Sequence, residues 1–372
     1  MHRFDSLTAY LDSFHAAGIP YFDCAVQYKG ECVFRYKSGY LDPEQTKPVS
    51  GDELYHIYSC SKMITATAAL MLCDAGDVEL DAPLYEYIPE YRDMYVKQPD
   101  GNLERAKKPV LIWQLLAMQA GFGYDLTLAP IQRIVRETNG ACPTLDVIRA
   151  LAEAPLYHEP SACYRYSLAH DVLGGVIEAV TGDTLGAFAK KHIFDVLGMK
   201  NTTYLPTREQ LSRLAPQYRF EKDEKAPRLI GNENVYRFGT AYESGGAGCV
   251  STLDDCMRFL EGLRTGALLS PDMLRNMSTD RLTDGIRHTY TAAPARYGYG
   301  LGVRCPKAKG APPPHTTDSG TAVFDIGWGG AAGAYAALDV SNGIAVYYAQ
   351  HVLNSTVDRD PLIELATKAL CS

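Results

Sequence analysis

The sequence predicts an α/β protein in which strand-rich terminal regions form one lobe around a mostly helical insertion. Three observations predict it. Near the N-terminus, residues 21–26 and 32–36 alternate in the strand manner and flank Lys29-Gly30, the pattern of a β-hairpin. Between about 77 and 240, helical windows at 110–117, 145–152 and 171–180 alternate with Pro- and Gly-bearing loops, and strand signals are few. Beyond 245, strand-like runs return at 299–303, 322–326, 334–338 and 344–348. The predicted lobes are therefore 1–76 with 241–372, and 77–240. The cleft between them is the natural ligand site.

The remaining elements follow from local patterns. Residues 4–17 place Leu7, Tyr10, Leu11 and Phe14 at helical spacing. A turn-rich stretch over 42–52 leads to 54–58, and then an apolar helix is predicted over 59–75 with Gly76 as its C-cap. Further helices are predicted over 253–263, 271–277 and 360–370. No internal repeat or long low-complexity segment interrupts them.

Composition excludes several function classes. The 372 residues carry a formal net charge of -8 with no dense Lys/Arg run. A phosphate-binding stripe is absent from the pattern, so nucleic acid is not an expected partner. Asp5 and Asp12 interrupt the apolar core that a secretory leader would need, and no apolar stretch is long enough to span a bilayer. The ten cysteines form neither a C-x-x-C pair nor a zinc-type cluster. Scattered thiols of this kind fit a reducing compartment, and the expected location is cytoplasmic. Core filling is the simplest reading of each cysteine. Cys60 is the one candidate reactive thiol, although no base is placed beside it by sequence.

Ser59-Cys60-Ser61-Lys62 is the one S-x-x-K tetrapeptide in the chain. At the first turn of a helix, side chains three apart share a face, so the Lys62 amine reaches the Ser59 hydroxyl. Free N–H groups at the helix start favour the anion formed during acyl transfer. A serine needs a base to become a nucleophile, and a lysine in a partly desolvated cleft can supply it. The competing reading is a serine N-cap with a solvated lysine. Four residues alone favour that one, because a chain of this size carries about one such tetrapeptide by chance.

The surrounding residues reverse the balance. The string 54–91, with S-x-x-K heading an apolar helix and Leu80-Asp81-Ala82-Pro83-Leu84 following it, resembles the serine β-lactamase and penicillin-binding protein family. The likeness is strongest to the class C-like branch with its related esterases. Leu115-Leu116-Ala117-Met118-Gln119-Ala120-Gly121-Phe122 is similar to that family's L-L-x-H-x-S-G-[LF] loop, with Met118 and Ala120 replacing two polar residues. Tyr166-Ser167-Leu168 with Asp171, Leu173-Gly174, Glu178 and Thr181-Gly182 resembles the Y-x-N region. Gly198-Met199 with Thr202 or Thr203, and then Ser244-Gly245-Gly246-Ala247-Gly248 through Thr252 and Asp255, continue the order. Trp328-Gly329-Gly330 stands where the family carries K-T-G. Lys37-Ser38-Gly39 spells the same motif but precedes Ser59, and reads as the end of a hairpin strand.

The resemblance implies a β-lactamase/transpeptidase-like fold, with an antiparallel sheet flanked by helices and a mostly helical lobe. It implies Ser59 as nucleophile, Lys62 as base and Tyr166 as a proton shuttle, with Tyr164 as the competing tyrosine. It places the oxyanion donors at the Ser59 and Ala331 N–H groups. Leu168, Trp328, Gly329 and Gly330 are then expected at the substrate. His170 is either a cleft residue or a structural histidine, the latter favoured. No metal or organic cofactor is implied.

Two departures point to the substrate. Leu168 replaces the family asparagine that binds an acyl-side amide, and Trp328 replaces the cation that meets a carboxylate. Unpaired polar groups of a β-lactam would cost about 1–3 kcal/mol each there. The W-G-G variant resembles family VIII carboxylesterases and the related acyltransferases. The expected reaction is hydrolysis of a small-molecule ester through acyl-Ser59. β-Lactam or D-alanyl-D-alanine amide hydrolysis, acyl transfer, and a non-catalytic sensor on the same fold remain alternatives.

Overall fold

A computed structural model describes residues 3–222, 224–293, 295–308 and 310–371. The chain opens with helix α1 (Asp5–Ala16), then strands β1 (Tyr21–Tyr28) and β2 (Glu31–Gly39). Lys29 and Gly30 both take positive φ, 52° and 91°, which is what a two-residue hairpin turn requires. Lys37-Ser38-Gly39 closes β2, as the sequence predicts. A 3₁₀ turn over Tyr58–Cys60 leads into α2 (Ser61–Ala75), which Gly76 caps in the left-handed region with φ 83°. Helix α3 (Ala169–Thr181) and helix α4 (Leu253–Arg264) follow, and α3 packs along α2. Four further short strands precede the last hairpin partner: β3 (Tyr297–Tyr299), β4 (Arg304–Pro306), β5 (Ile326–Gly329) and β6 (Tyr335–Asp339). Strand β7 (Ile344–Ala349) and helix α5 (Pro361–Cys371) complete the set.

These strands form one seven-stranded antiparallel sheet in the order β2-β1-β7-β6-β5-β4-β3. All six residues of β7 are buried, so both faces of the central strand are covered. Neighbouring side chains show by what. Tyr348 meets Phe14 of α1 edge-on at 5.5 Å, whereas Tyr347 faces a small void shared with Cys256 and Phe259 of α4. Adjacent strand residues point to opposite faces, so α1 and α4 lie on opposite sides of the sheet. Beyond the sheet, Val352–Leu353 runs parallel to Gln217–Arg219 and draws that segment against the C-terminal part of the chain. No single helix among the described residues is long and apolar enough to cross a membrane.

Two predicted strands are corrected. Of the run at 299–303 only Tyr299 is strand, at the end of β3; 300–303 form a turn to β4, because Gly302 takes φ 87° and Gly300 lies against the Met277 carbonyl. The run at 322–326 divides: Ala322–Val323 pairs with His315–Thr316, and only Ile326 belongs to the main sheet. The window at 110–117 shortens to Ile112–Leu116, while 145–152 appears as Thr144–Leu151.

Beneath the 3₁₀ turn, His56 and His351 pack with ring centroids 5.6 Å apart. His56 Nδ1 and His351 Nε2 are buried without hydrogen-bond partners. Burial lowers the pKa of His56, and Arg237 adds to the effect. Burial also pushes His351 down from 6.5 to about 3. Both rings are therefore neutral in the fold where the unfolded chain already binds protons. Their contribution is intact above pH 6.5 and is lost as the pH falls from there towards 3. We expect the urea midpoint to drop between pH 6.5 and 5 by the equivalent of about 2 kcal/mol from His351 alone. A His351→Gln variant should show a shallower pH dependence in the same titration.

Candidate active site

Ser59 sits inside the 3₁₀ turn rather than in the α-helix proper. Side chains at i and i+3 nearly eclipse in such a turn, which sets Lys62 directly behind Ser59. The preceding residue, Tyr58, takes φ 45° although it is not glycine. That conformation costs on the order of 1–3 kcal/mol and needs outside support. Support comes from the Tyr58 hydroxyl, which donates to Gln217, and from its ring, 5.7 Å from His56 and 5.9 Å from Tyr236. The Ile57 N–H is also tied to the Cys249 carbonyl.

Lys62 is fully buried. Its Nζ lies 3.3 Å from Ser59 Oγ, 3.3 Å from the Tyr124 hydroxyl and 2.7 Å from the Gly246 carbonyl. The loop that supplies this carbonyl is the S-G-G-A-G segment, and its composition has a steric cause. A Cβ on Gly246 would lie 2.5 Å from Asp171 Oδ2 and 3.3 Å from Lys62 Nζ, and one on Gly245 would lie 2.2 Å from the His170 carbonyl. Ser244 Oγ and the Tyr242 hydroxyl both donate to Asp171 Oδ1, and Thr65 Oγ1 donates to the Gly245 carbonyl. Asp171 is buried beside this loop; burial raises its pKa, opposed by Ser244, Lys62 and Tyr242. Downstream, Asp255 accepts from the Asn201 N–H and Thr202 Oγ1, so two of the ordered motifs bind each other.

Strand β5 brings the third motif to Ser59. A Cβ on Gly330 would stand 2.4 Å from the Ile57 carbonyl, so glycine alone lets the strand end approach the Ser59 turn this closely. Ala331 follows it. Trp328 is nearly buried; its indole N–H donates to the Tyr166 hydroxyl at 3.2 Å, and the two rings stack at 5.8 Å. Tyr166 in turn stacks on Tyr124 at 5.5 Å. Its ring centroid lies 4.5 Å from Lys62 Nζ.

These groups border a cavity of about 830 Å³ whose wall includes Ser59, Tyr124, Tyr166, Tyr236, Trp328, Gly329, Gly330 and Ala331. The wall also includes Tyr290, Arg304, Tyr335, Asp358, Arg359 and Asp360. The structure thus gathers Ser59, Lys62, Tyr166, Trp328, both glycines and Ala331. Leu168 is corrected, since it does not line the cavity, and of the two readings of His170 the cleft one is corrected and the favoured structural one stands. Leu168 is buried at the start of α3, with its N–H on the Gly123 carbonyl. His170 is wholly buried behind Lys62, where burial and the nearby lysine hold its pKa well below the usual value. Tyr164 is also set aside. It is buried edge-on between Tyr290 and Tyr299, away from the cavity. Cys60 is buried too, its thiol pushed up by burial, which leaves core filling as its role.

Much of the remaining wall escaped sequence reading. Tyr124 stands three residues after Gly121, the loop glycine that the sequence did mark. Arg304 and Arg359 bring cations to the wall at positions the sequence did not single out. Arg304 is already committed, with its guanidinium on Asp325 at 2.6 Å, the Tyr335 hydroxyl at 2.8 Å and the Ala336 carbonyl at 3.1 Å. No local pattern marks an arginine whose partners lie twenty or more residues away.

Residues 8–370 match the sequence profile of the Beta-lactamase family. The chain belongs to the beta-lactamase family. Among its relatives, esterase EstB of Burkholderia gladioli is 30% identical over 340 residues, covering 85% of this chain and 82% of EstB. An uncharacterized protein of Mycobacterium tuberculosis is 32% identical over the same length, covering 86% and 83%. In three dimensions this beta-lactamase-family chain resembles simvastatin synthase LovD of Aspergillus terreus, with TM-score 0.79, 20% identity and coverage of 100% and 99%. It also resembles EstCE1, a hydrolase with promiscuous acyltransferase activity, with TM-score 0.77, 24% identity and coverage of 98% and 97%.

The Gly330 contact gives a direct check of this arrangement. A Gly330→Ala variant must push the strand end off the Ser59 turn. We expect labelling of Ser59 by a fluorophosphonate probe to slow by about 100-fold, since a shift near 1 Å is enough for such a loss. Circular dichroism should stay close to the parent chain.

Proposed function

We propose that the chain is a serine carboxylester hydrolase acting through an acyl-Ser59 intermediate. The observation that carries the reading is the buried Lys62 amine, 3.3 Å from the Oγ of Ser59, which lines a cavity walled by aromatic rings. As Ser59 Oγ attacks the ester carbonyl, its proton moves to the Lys62 nitrogen. The carbonyl oxygen, now an oxyanion, accepts from the Ser59 and Ala331 N–H groups, each worth on the order of 3 kcal/mol in the transition state. The ester C–O bond then breaks, and the alcohol leaves with a proton passed on from Lys62 through a tyrosine hydroxyl of the wall. Water repeats the sequence on the acyl-enzyme and restores Ser59.

An ester of an apolar or aromatic acid suits this wall. Tyr124, Tyr166 and Trp328 form a near-parallel stack beside Ser59, with interplanar angles of 21° and 30°. EstB and the lovastatin esterase of Penicillium rubens, 27% identical over 308 residues, are esterases by name and support the same chemistry here. The breadth of the cavity favours a second reaction on the same acyl-enzyme, transfer to an alcohol in place of water. The ten cysteines, all free, fit a reducing compartment and a cytoplasmic site of action.

The test compares p-nitrophenyl butyrate with a chromogenic cephalosporin after fluorophosphonate labelling. Labelling at Ser59, its loss in Ser59→Ala, and turnover of the ester well above the cephalosporin are the expected results. An unlabelled parent chain would sink the hydrolase reading in favour of a binding protein. Fast cephalosporin turnover with negligible ester turnover would make the chain a β-lactamase.

A further inference from the structure

A second, smaller cavity of about 280 Å³ backs onto the one at Ser59, and two chain segments form the partition between them. In the first segment, Tyr124 and Leu126 line the Ser59 cavity, whereas Gly123 and Asp125 line the smaller one. Successive residues of one stretch thus serve opposite sides. In the second segment, Tyr166 lines the Ser59 cavity, whereas the guanidinium of Arg165 lies 4.2 Å from the centroid of the Tyr157 ring, which borders the smaller cavity. The Leu168 N–H donates to the Gly123 carbonyl and ties the two segments together. A Cβ on Gly123 would stand 2.2 Å from the Tyr157 ring, so the absence of a side chain there lets that ring lie against the partition.

The smaller cavity has the make-up of a site for a compact amphiphile. Phe122, Leu128, Leu151, Ala154 and Leu156 give it a largely apolar lining. Its volume matches about nine waters at about 30 Å³ each, room for a ligand of roughly ten heavy atoms. Charge is confined to the mouth, because Lys97 and Arg165 are both exposed. Neither cation has an ion-pair partner among the described residues. The acid that shares the lining is already engaged: Asp125 accepts from the Thr127 N–H at 2.8 Å and from Thr127 Oγ1 at 2.7 Å. An apolar molecule without charge would fill the cavity but leave both cations unmatched. A carboxylate at the mouth would meet them, with its body among the leucines.

We infer that the reverse side of the Tyr124–Tyr166 wall carries a second binding site, for a small carboxylic acid with an apolar body, whose occupancy is felt at Ser59. The coupling has a physical route. An occupant presses on Gly123 and on the Tyr157 ring that holds Arg165, and the residues next in the chain, Tyr124 and Tyr166, stack on one another at 5.5 Å beside Ser59. The two faces share a backbone, so neither can shift alone.

Phenylacetate is a suitable probe, with phenylacetamide as its uncharged counterpart. In a ligand-observed NMR titration the parent chain should bind phenylacetate with a Kd of about 1 mM, ordinary for a ligand of that size. Ala154→Phe, which fills the cavity, should weaken binding by about tenfold or more. Lys97→Gln, a surface change that keeps the test open if Ala154→Phe fails to fold, should weaken it by about threefold, and phenylacetamide should bind the parent more weakly by a similar factor. Undiminished binding in a folded Ala154→Phe, or acid and amide bound equally well, would overturn the assignment. So would a loss in Arg359→Gln with both other variants unaffected, since that result places the acid in the Ser59 cavity. Saturating phenylacetate should also change the rate of fluorophosphonate labelling at Ser59 by about fivefold in the parent but not in Ala154→Phe. An unchanged rate in the parent would overturn the coupling. Binding is read without turnover, so a parent chain that resists labelling counts against the hydrolase reading and leaves the site to be decided by the titration.

Discussion

A lysine amine with no exposure to water has to find its partners inside the protein, and much of this molecule is arranged to provide them. The 2.7 Å contact between Lys62 and the Gly246 carbonyl fixes where the S-G-G-A-G loop must run. That loop then has no room for side chains at 245 and 246, because α3 presses its His170 backbone and Asp171 carboxylate against it. Asp171, Ser244 and Tyr242 close the layer behind the amine with hydrogen bonds of 2.7 and 2.9 Å. Helix α2 brings the lysine, α3 brings the acid, and the loop before Val250 joins them. Three stretches far apart in sequence are thus held to one nitrogen atom.

Ser59 is set by a second constraint of a different kind. Tyr58 is kept in a left-handed conformation by packing on His56 and Tyr236 and by its hydrogen bond to Gln217, and the preceding Tyr55–His56 pairs antiparallel with Val250–Ser251. Strand β5 ends against the same turn through Gly330. The sheet and the helices therefore meet at Ser59, one through a strand end and the other through α2. Precision at this point comes from backbone contacts, which side-chain motion does not easily relax.

Much of this was legible in the sequence because the governing interactions are local. The hairpin turn needed residues tolerant of positive φ and had Lys29-Gly30; α2 needed a left-handed cap and had Gly76. That Ser59 and Lys62 meet was legible from their spacing and the ordered motifs around them. Failures share a cause. The run at 299–303 has strand-like composition, yet close approach of Gly300 to Met277 and the positive φ of Gly302 bend it into a turn, and both depend on distant backbone. Leu168 was expected at the substrate because it stands at the asparagine position of the Y-x-N pattern, but the start of α3 turns it into the core, and His170 beside it takes the structural place that was favoured for it. Tyr124 and Arg304 carry no local mark at all, since their partners at Lys62 and Asp325 are 62 and 21 positions away.

Trp328 has a consequence of a practical sort. The chain holds just two tryptophans, and the other, Trp113, lies in the short helix Ile112–Leu116 outside the cavity wall. Trp328 stands in that wall, stacked on Tyr166, with its indole N–H in a hydrogen bond that any occupant beside Ser59 would perturb. Its emission is thus a built-in optical gauge of cavity occupancy. Ligand entry and acyl-group departure can be followed by light, in the unlabelled chain, with Trp113 as a steady internal reference.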